Sequence, residues 1–138
     1  MSDNILVKKI LEYIEMNLDG DLSLDKISKD LCYSKFYIER VFLEKTNCTI
    51  YKYIQGRRLT LAASKLVETD KAIIEIAYEA GYSSQQAFNY AFRKLYFCTP
   101  QTYRKNGVFY PIQEKINMKS ALFCLSYSNF ILGGKIAA

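Results

Sequence analysis

Four side chains that can hydrogen-bond a base edge recur at helical spacing late in the chain: Gln86, Asn89, Tyr90 and Arg93. Glutamine, asparagine and arginine match the donor and acceptor pattern that base pairs present in the DNA major groove. Between them Phe88, Ala91, Phe92 and Leu95 fall at the same spacing, so one face of this helix is buried and the other looks outward.

Such a face can act only if flanking elements hold it. Upstream, residues 73–80 read as a short helix ending at Gly81, and after the Gly81-Tyr82 turn Ser83 and Ser84 can cap the next helix. Downstream, Thr99-Pro100 reads as the cap and first position of another short helix. Helix, glycine turn and helix with a polar outer face is the outline of a helix-turn-helix.

The arrangement occurs twice. Ile27, Tyr33 and Ser34 match Ile76, Tyr82 and Ser83 at an offset of 49. One residue is then inserted, and Ile38, Phe42, Cys48, Thr49 and Tyr53 match Phe88, Phe92, Cys98, Thr99 and Tyr103 at an offset of 50. Joint retention of aromatic, cysteine, threonine and tyrosine positions marks an internal repeat. In the first copy Ile38, Val41 and Phe42 face inward, and Phe36, Glu39, Arg40 and Leu43 occupy the register of Gln86, Asn89, Tyr90 and Arg93.

Composition narrows the chemistry. Half of the 138 residues are hydrophobic, enough for a compact core. The net charge of +5, from 19 basic and 14 acidic residues, suits a polyanionic partner. Histidine is absent, which removes most nucleophile–base pairs, and neither paired carboxylates nor a glycine-rich phosphate loop is present, so no enzymatic activity is expected. The four cysteines, Cys32, Cys48, Cys98 and Cys124, form no Cys-x-x-Cys pair. Cys48 and Cys98 occupy the same repeat position and read as small buried hydrophobes rather than metal ligands, and neither metal nor cofactor is expected. No secretory signal is visible at the N-terminus, so a cytoplasmic chain with reduced thiols is the expectation.

In chain order, an amphipathic helix is expected over residues 3–17, with Ile5, Leu6, Ile10, Leu11 and Ile14 on one side. Ser23 caps a second helix and Ser34 a third, which Asn47 ends. Thr49 opens the longest helix, running through Val67, with Gly56 inside it at a cost of about 1 kcal/mol relative to alanine. The fold class is therefore all-α: two helix-turn-helix subdomains joined by a long linker helix. Gly107 and Pro111 mark a boundary, dividing a DNA-binding domain of residues 1–107 from a C-terminal tail of residues 108–138. The tail is too short and interrupted to span a membrane. Its runs 121–127 and 129–132 read as two strands in need of a partner: this domain, a second copy, or further sequence.

The segments SLDKISKDLCYSKFYIERVF, YIQGRRLTLAASKL and IIEIAYEAGYSSQQAFNYAFRKLYFCTPQTYR together resemble the AraC/XylS family of bacterial transcription regulators, of the MarA/SoxS/Rob type in which the DNA-binding domain stands first or alone. The resemblance covers residues 5–106. It implies about seven helices, with two recognition helices entering successive major-groove segments of double-stranded DNA roughly 34 Å apart. One chain then acts as a built-in dimer, bound as a monomer, and contact with RNA polymerase and activation are implied by the resemblance alone.

Carried over by register, the base-contact residues are Phe36, Glu39 and Arg40 in the first copy and Gln86, Asn89 and Tyr90 in the second. Phe36 stands where the family often has tryptophan and can touch a thymine methyl; Glu39 replaces a common glutamine and can accept from cytosine N4. Tyr90 replaces a frequent arginine, keeping a hydroxyl and losing the charge. Alternatively, Glu39 pairs with Lys35 one turn earlier. Ser34, Lys35, Arg57, Ser84, Gln85 and Arg93 are the phosphate-contact candidates, because helix starts and cations suit anions. Two other classes fit the same sequence. One is a protein-interaction module whose apolar tail binds another protein or a second copy. The other is a truncated ligand-sensing regulator, since the tail weakly resembles the start of an effector domain and is too short to enclose a pocket.

Overall fold

The computed structural model describes residues 2–117. The strands expected over 121–127 and 129–132, and Cys124, lie outside the described residues. Among the described residues seven α-helices and no strand occur: α1 (Ser2–Met16), α2 (Leu24–Leu31), α3 (Lys35–Thr46), α4 (Ile50–Glu68), α5 (Ile73–Glu79), α6 (Gln85–Tyr96) and α7 (Pro100–Asn106). The described residues are all-α, as their periodicity implied. They divide into two units: residues 2–17, 21–54 and 115–117, and residues 18–20 and 55–114.

In the first unit α1 packs on α2 and α3. Leu6, Val7, Ile10, Leu11 and Ile14 are buried on α1, with Ile27 on α2 and Ile38, Val41 and Phe42 on α3. Ser23 in extended backbone accepts from the Lys26 N–H, and Ser34 accepts from the Tyr37 N–H, each satisfying an amide that a helix start leaves without an internal partner. Asn47 ends α3 in the left-handed region (φ 57°), returning its N–H to the Leu43 carbonyl at 2.8 Å.

The second unit repeats these devices fifty residues on. Ser84 caps α6 as Ser34 caps α3, and Phe97 (φ 62°) ends α6 as Asn47 ends α3, with its N–H on the Arg93 carbonyl at 2.8 Å. The single-residue insertion therefore falls ahead of the capping serines; the alignment that paired Ser34 with Ser83 is corrected to Ser84. The repeat extends to ring packing. Phe42 meets Tyr53 at 5.8 Å between centroids, and their counterparts Phe92 and Tyr103 meet at 5.4 Å. Leu59, Ala62, Ala63 and Leu66 of α4, Ile76 and Ala77 of α5, and Phe88 and Phe92 of α6 share this unit's core. Burying each large apolar side chain contributes about 1.5–3 kcal/mol. Gly81 makes the turn at φ +91°, where a Cβ would lie 2.9 Å from Arg58 Nη1.

Gly107 ends α7 at φ +70°. Residues 108–117 form neither helix nor strand, yet buried hydroxyls hold them. In the second unit the Tyr96 hydroxyl donates to the Tyr110 carbonyl (2.7 Å) and the Tyr110 N–H donates to the Tyr103 hydroxyl (2.7 Å). The Gln113 N–H donates to Thr60 Oγ1 (3.0 Å), and Arg57 Nη1 donates to the Gln113 carbonyl (2.8 Å). In the first unit the Ile116 N–H donates to the Tyr53 hydroxyl (3.2 Å). Gly56 acquires a reason here: a Cβ on it would meet Gln113 Cβ and Cγ at 3.0 Å. The glycine's propensity cost in α4 is accepted so that this strap can lie close to the helix.

Candidate nucleic-acid interface

In the first unit, α3 carries the candidates on one exposed face. Phe36, Glu39 and Arg40 stand at i, i+3 and i+4, the spacing that places side chains on one side of a helix. Phe36 is 84% exposed, an unusual state for a large aromatic in a capped, well-packed helix. The Arg40 guanidinium lies over the Tyr37 ring, 5.2 Å from its centroid, with Nη1 3.5 Å from the Glu44 carboxylate. The Tyr37 hydroxyl is itself anchored by donating to Asp3 at 2.7 Å. Arg40 is thus braced along its stem, and because its pair with Glu44 is exposed, that pair is easily exchanged for a stronger bidentate partner. Lys35 pairs with Asp25 at 2.7 Å, and that hydrogen bond holds its ammonium above the ordinary lysine range. The ion pair that helical spacing offered Glu39 is thus made by Asp25: Glu39 is exposed, has no ion pair among the described residues, and acts on the Lys35 ammonium through its charge alone. Ser34 Oγ accepts from Tyr37 N–H at 3.2 Å, which leaves its own proton to offer to a phosphate.

In the second unit α6 does the same work with different side chains. Gln86 and Arg93 are exposed, and Tyr90 is 65% exposed with Lys94 Nζ 5.0 Å above its ring centroid. The lysine restores near Tyr90 part of the positive charge missing from that position. Asn89 is half-buried, and its Oδ1 is buried with no hydrogen-bond partner. An unmet acceptor is costly, and a turn about χ2 exchanges it with the amide donors, so this side chain gains from an outside partner offering both groups. Ser84 Oγ accepts from Ala87 N–H at 3.1 Å, and Gln85 beside it is half-buried.

Of the phosphate candidates, Arg57 is the one the structure buries. It is only 8% exposed and donates to the Gln113 carbonyl, so it serves the strap and not the surface. A basic residue in a helix looks the same in sequence whether its partner is a phosphate or a carbonyl more than fifty residues away. Sequence reasoning also missed Tyr37 and Lys94, the braces of Arg40 and Tyr90; their i,i+3 and i,i+4 spacing was the available signal. Among the described residues no three or more acidic or cysteine side chains converge into a metal-binding group, and no helix is long and apolar enough to cross a membrane.

Two serine-capped helices, each after a short helix and a tight turn and each presenting polar and aromatic side chains outward, define a tandem helix-turn-helix protein. Comparison with known proteins agrees. A family described as the helix-turn-helix domain matches residues 27–106. The chain is 39% identical over 104 residues to the regulatory protein SoxS of Salmonella typhimurium, covering 75% of this chain and 97% of SoxS. It is 36% identical over 107 residues to the multiple antibiotic resistance protein MarA of Escherichia coli, covering 78% of this chain and 84% of MarA. The crystal structure of an AraC-type transcriptional regulator from Chromobacterium violaceum superposes with a TM-score of 0.71 at 26% identity, covering 78% and 96% of the two chains. The chain belongs to the AraC-type helix-turn-helix family of DNA-binding transcription regulators.

Proposed function

We propose that this chain activates transcription by reading two successive major-groove segments on one face of double-stranded DNA, α3 in one and α6 in the other. It does so as a monomer in the bacterial cytoplasm, in contact with RNA polymerase. The observation that carries the reading is the paired set of serine-capped helices at a fifty-residue offset, each with an outward face of side chains suited to base edges. Phe36, Glu39 and Arg40 read the first segment, and Gln86, Asn89 and Tyr90 the second. Ser34, Lys35, Ser84, Gln85 and Arg93 anchor to phosphates, which carry no sequence information but fix the register. Similarity to regulators of the SoxS and MarA kind supports the activating role.

The test is selection of sites from a random duplex pool, followed by binding measurements on the enriched motif. Two short elements about ten base pairs apart are expected. Arg40→Ala should weaken binding by about 1–3 kcal/mol and relax preference at one base pair. If Arg40→Ala binds the selected site as tightly as the parent, the register is wrong. Transcription from a template carrying the site, with purified polymerase, tests activation directly.

A further inference from the structure

The recognition face of α3 carries an exposed carboxylate with no ion pair among the described residues; its charge acts on the Lys35 ammonium, which bonds Asp25 instead. Glu39 is exposed, the nearby ammonium of Lys35 is taken by Asp25 at 2.7 Å, and the guanidinium of Arg40 leans toward Glu44. A carboxylate brought to DNA is repelled by every phosphate, so at this position it must be offset by a specific donor or it weakens binding to all sequences. In the major groove guanine offers only acceptors, O6 and N7, and thymine offers O4 and a methyl. Both repel a carboxylate. Adenine offers an amine at N6, but its N7 acceptor lies alongside. Cytosine N4 has an acceptor, guanine O6, on one side only, whereas adenine N6 is flanked by N7 and by thymine O4, so cytosine is the base an exposed carboxylate tolerates best. Three residues earlier, Phe36 projects an apolar ring that is 84% exposed. A separation of three residues is about 4.5 Å along a helix axis, against about 3.4 Å between stacked base pairs, so the two side chains reach neighbouring steps.

We propose that Glu39 is a base filter admitting cytosine at one position of the first element, and that Phe36 couples it to a thymine methyl on the neighbouring base pair. This rests on the DNA-reading assignment above and adds the identity of the bases read. The filter works more by exclusion than by attraction. Its signature is therefore unlike that of an ordinary contact: removing the charge broadens the sequences bound while tightening binding to the disfavoured ones.

The experiment measures dissociation constants by fluorescence anisotropy at fixed salt, on duplexes carrying each of the four bases at the position assigned to Glu39. The parent chain, Glu39→Gln and Phe36→Ala are compared. The parent should favour cytosine about 5- to 150-fold over the other bases. Glu39→Gln should collapse that ratio by binding the three other duplexes more tightly than the parent does. Replacing the neighbouring thymine by deoxyuridine removes only a methyl; it should weaken the parent several-fold and leave Phe36→Ala unchanged. If Glu39→Gln leaves all four constants unmoved, or weakens them uniformly, the filter is overturned, while a loss of binding in Arg40→Ala on the same duplexes leaves DNA reading by α3 standing. If the parent enriches no motif, both readings fall.

Discussion

Thr60→Val tests whether the strap is part of the second unit. Thr60 is 1% exposed and its Oγ1 accepts the Gln113 N–H at 3.0 Å. Valine has nearly the same shape, so packing is kept and chain entropy is unchanged. What is lost is the acceptor, leaving a buried amide without a partner at a cost of about 1–3 kcal/mol. Urea unfolding followed by circular dichroism should show that decrease at unchanged slope. Hydrogen exchange gives the local readout: the Gln113 amide should lose protection in Thr60→Val and keep it in Thr60→Ser, which retains the oxygen and loses only a methyl worth about 0.8 kcal/mol. An apolar site with no strap seated on it would rank valine as neutral or stabilising. A Thr60→Val change within about 0.5 kcal/mol, with Gln113 exchange unaltered, would refute the reasoning.

Gly81→Ala should destabilise the second unit by about 1 kcal/mol or more in thermal unfolding, because alanine at φ +91° is strained and its Cβ meets Arg58 Nη1 at 2.9 Å. Glu79 sets an acid limb. Hydrogen bonds from Lys71 (2.8 Å) and Lys65 (2.9 Å) lower its pKa from 4.5 to about 2. A depressed carboxylate adds stability above its unfolded pKa and loses it as pH falls through the folded one. Stability should therefore decline between pH 4.5 and 2, less steeply in Glu79→Gln when urea midpoints are compared across that range.

Much of this architecture could be read from sequence because its signals are local. Ser23, Ser34, Ser84 and Thr99 announce helix starts through one side-chain bond three residues on. The internal repeat matched Phe42 to Phe92 and Tyr53 to Tyr103, and the structure brings the two rings of each copy into contact. The outward face of α3 followed from period alone. The strap did not, because its bonds join a backbone amide or carbonyl to a side chain 53 or 56 residues away, and backbone groups leave no trace in composition. The bond of Arg57 to the strap was out of reach for that reason, and Gly56 stayed an unexplained cost. Lys35 was offered Glu39 by helical spacing and takes Asp25 from α2 instead, a partner that depends on how two helices cross.

The strap also sets an order of events during synthesis. Helices α1 to α3 and the start of α4 draw their buried side chains and caps from residues 2–54, and only the Ile116 amide on the Tyr53 hydroxyl arrives late. The second unit is different: Thr60 and Arg57 wait for Gln113, and Tyr96 waits for Tyr110. Until those residues leave the ribosome, α4 holds an open notch at Gly56 and a buried guanidinium short of an acceptor. Vectorial translation therefore delivers α3 and its core nearly complete while α6 is still provisional. A ribosome stalled before residue 113 would display a chain whose first unit lacks only its contact with Ile116 while its second has yet to close.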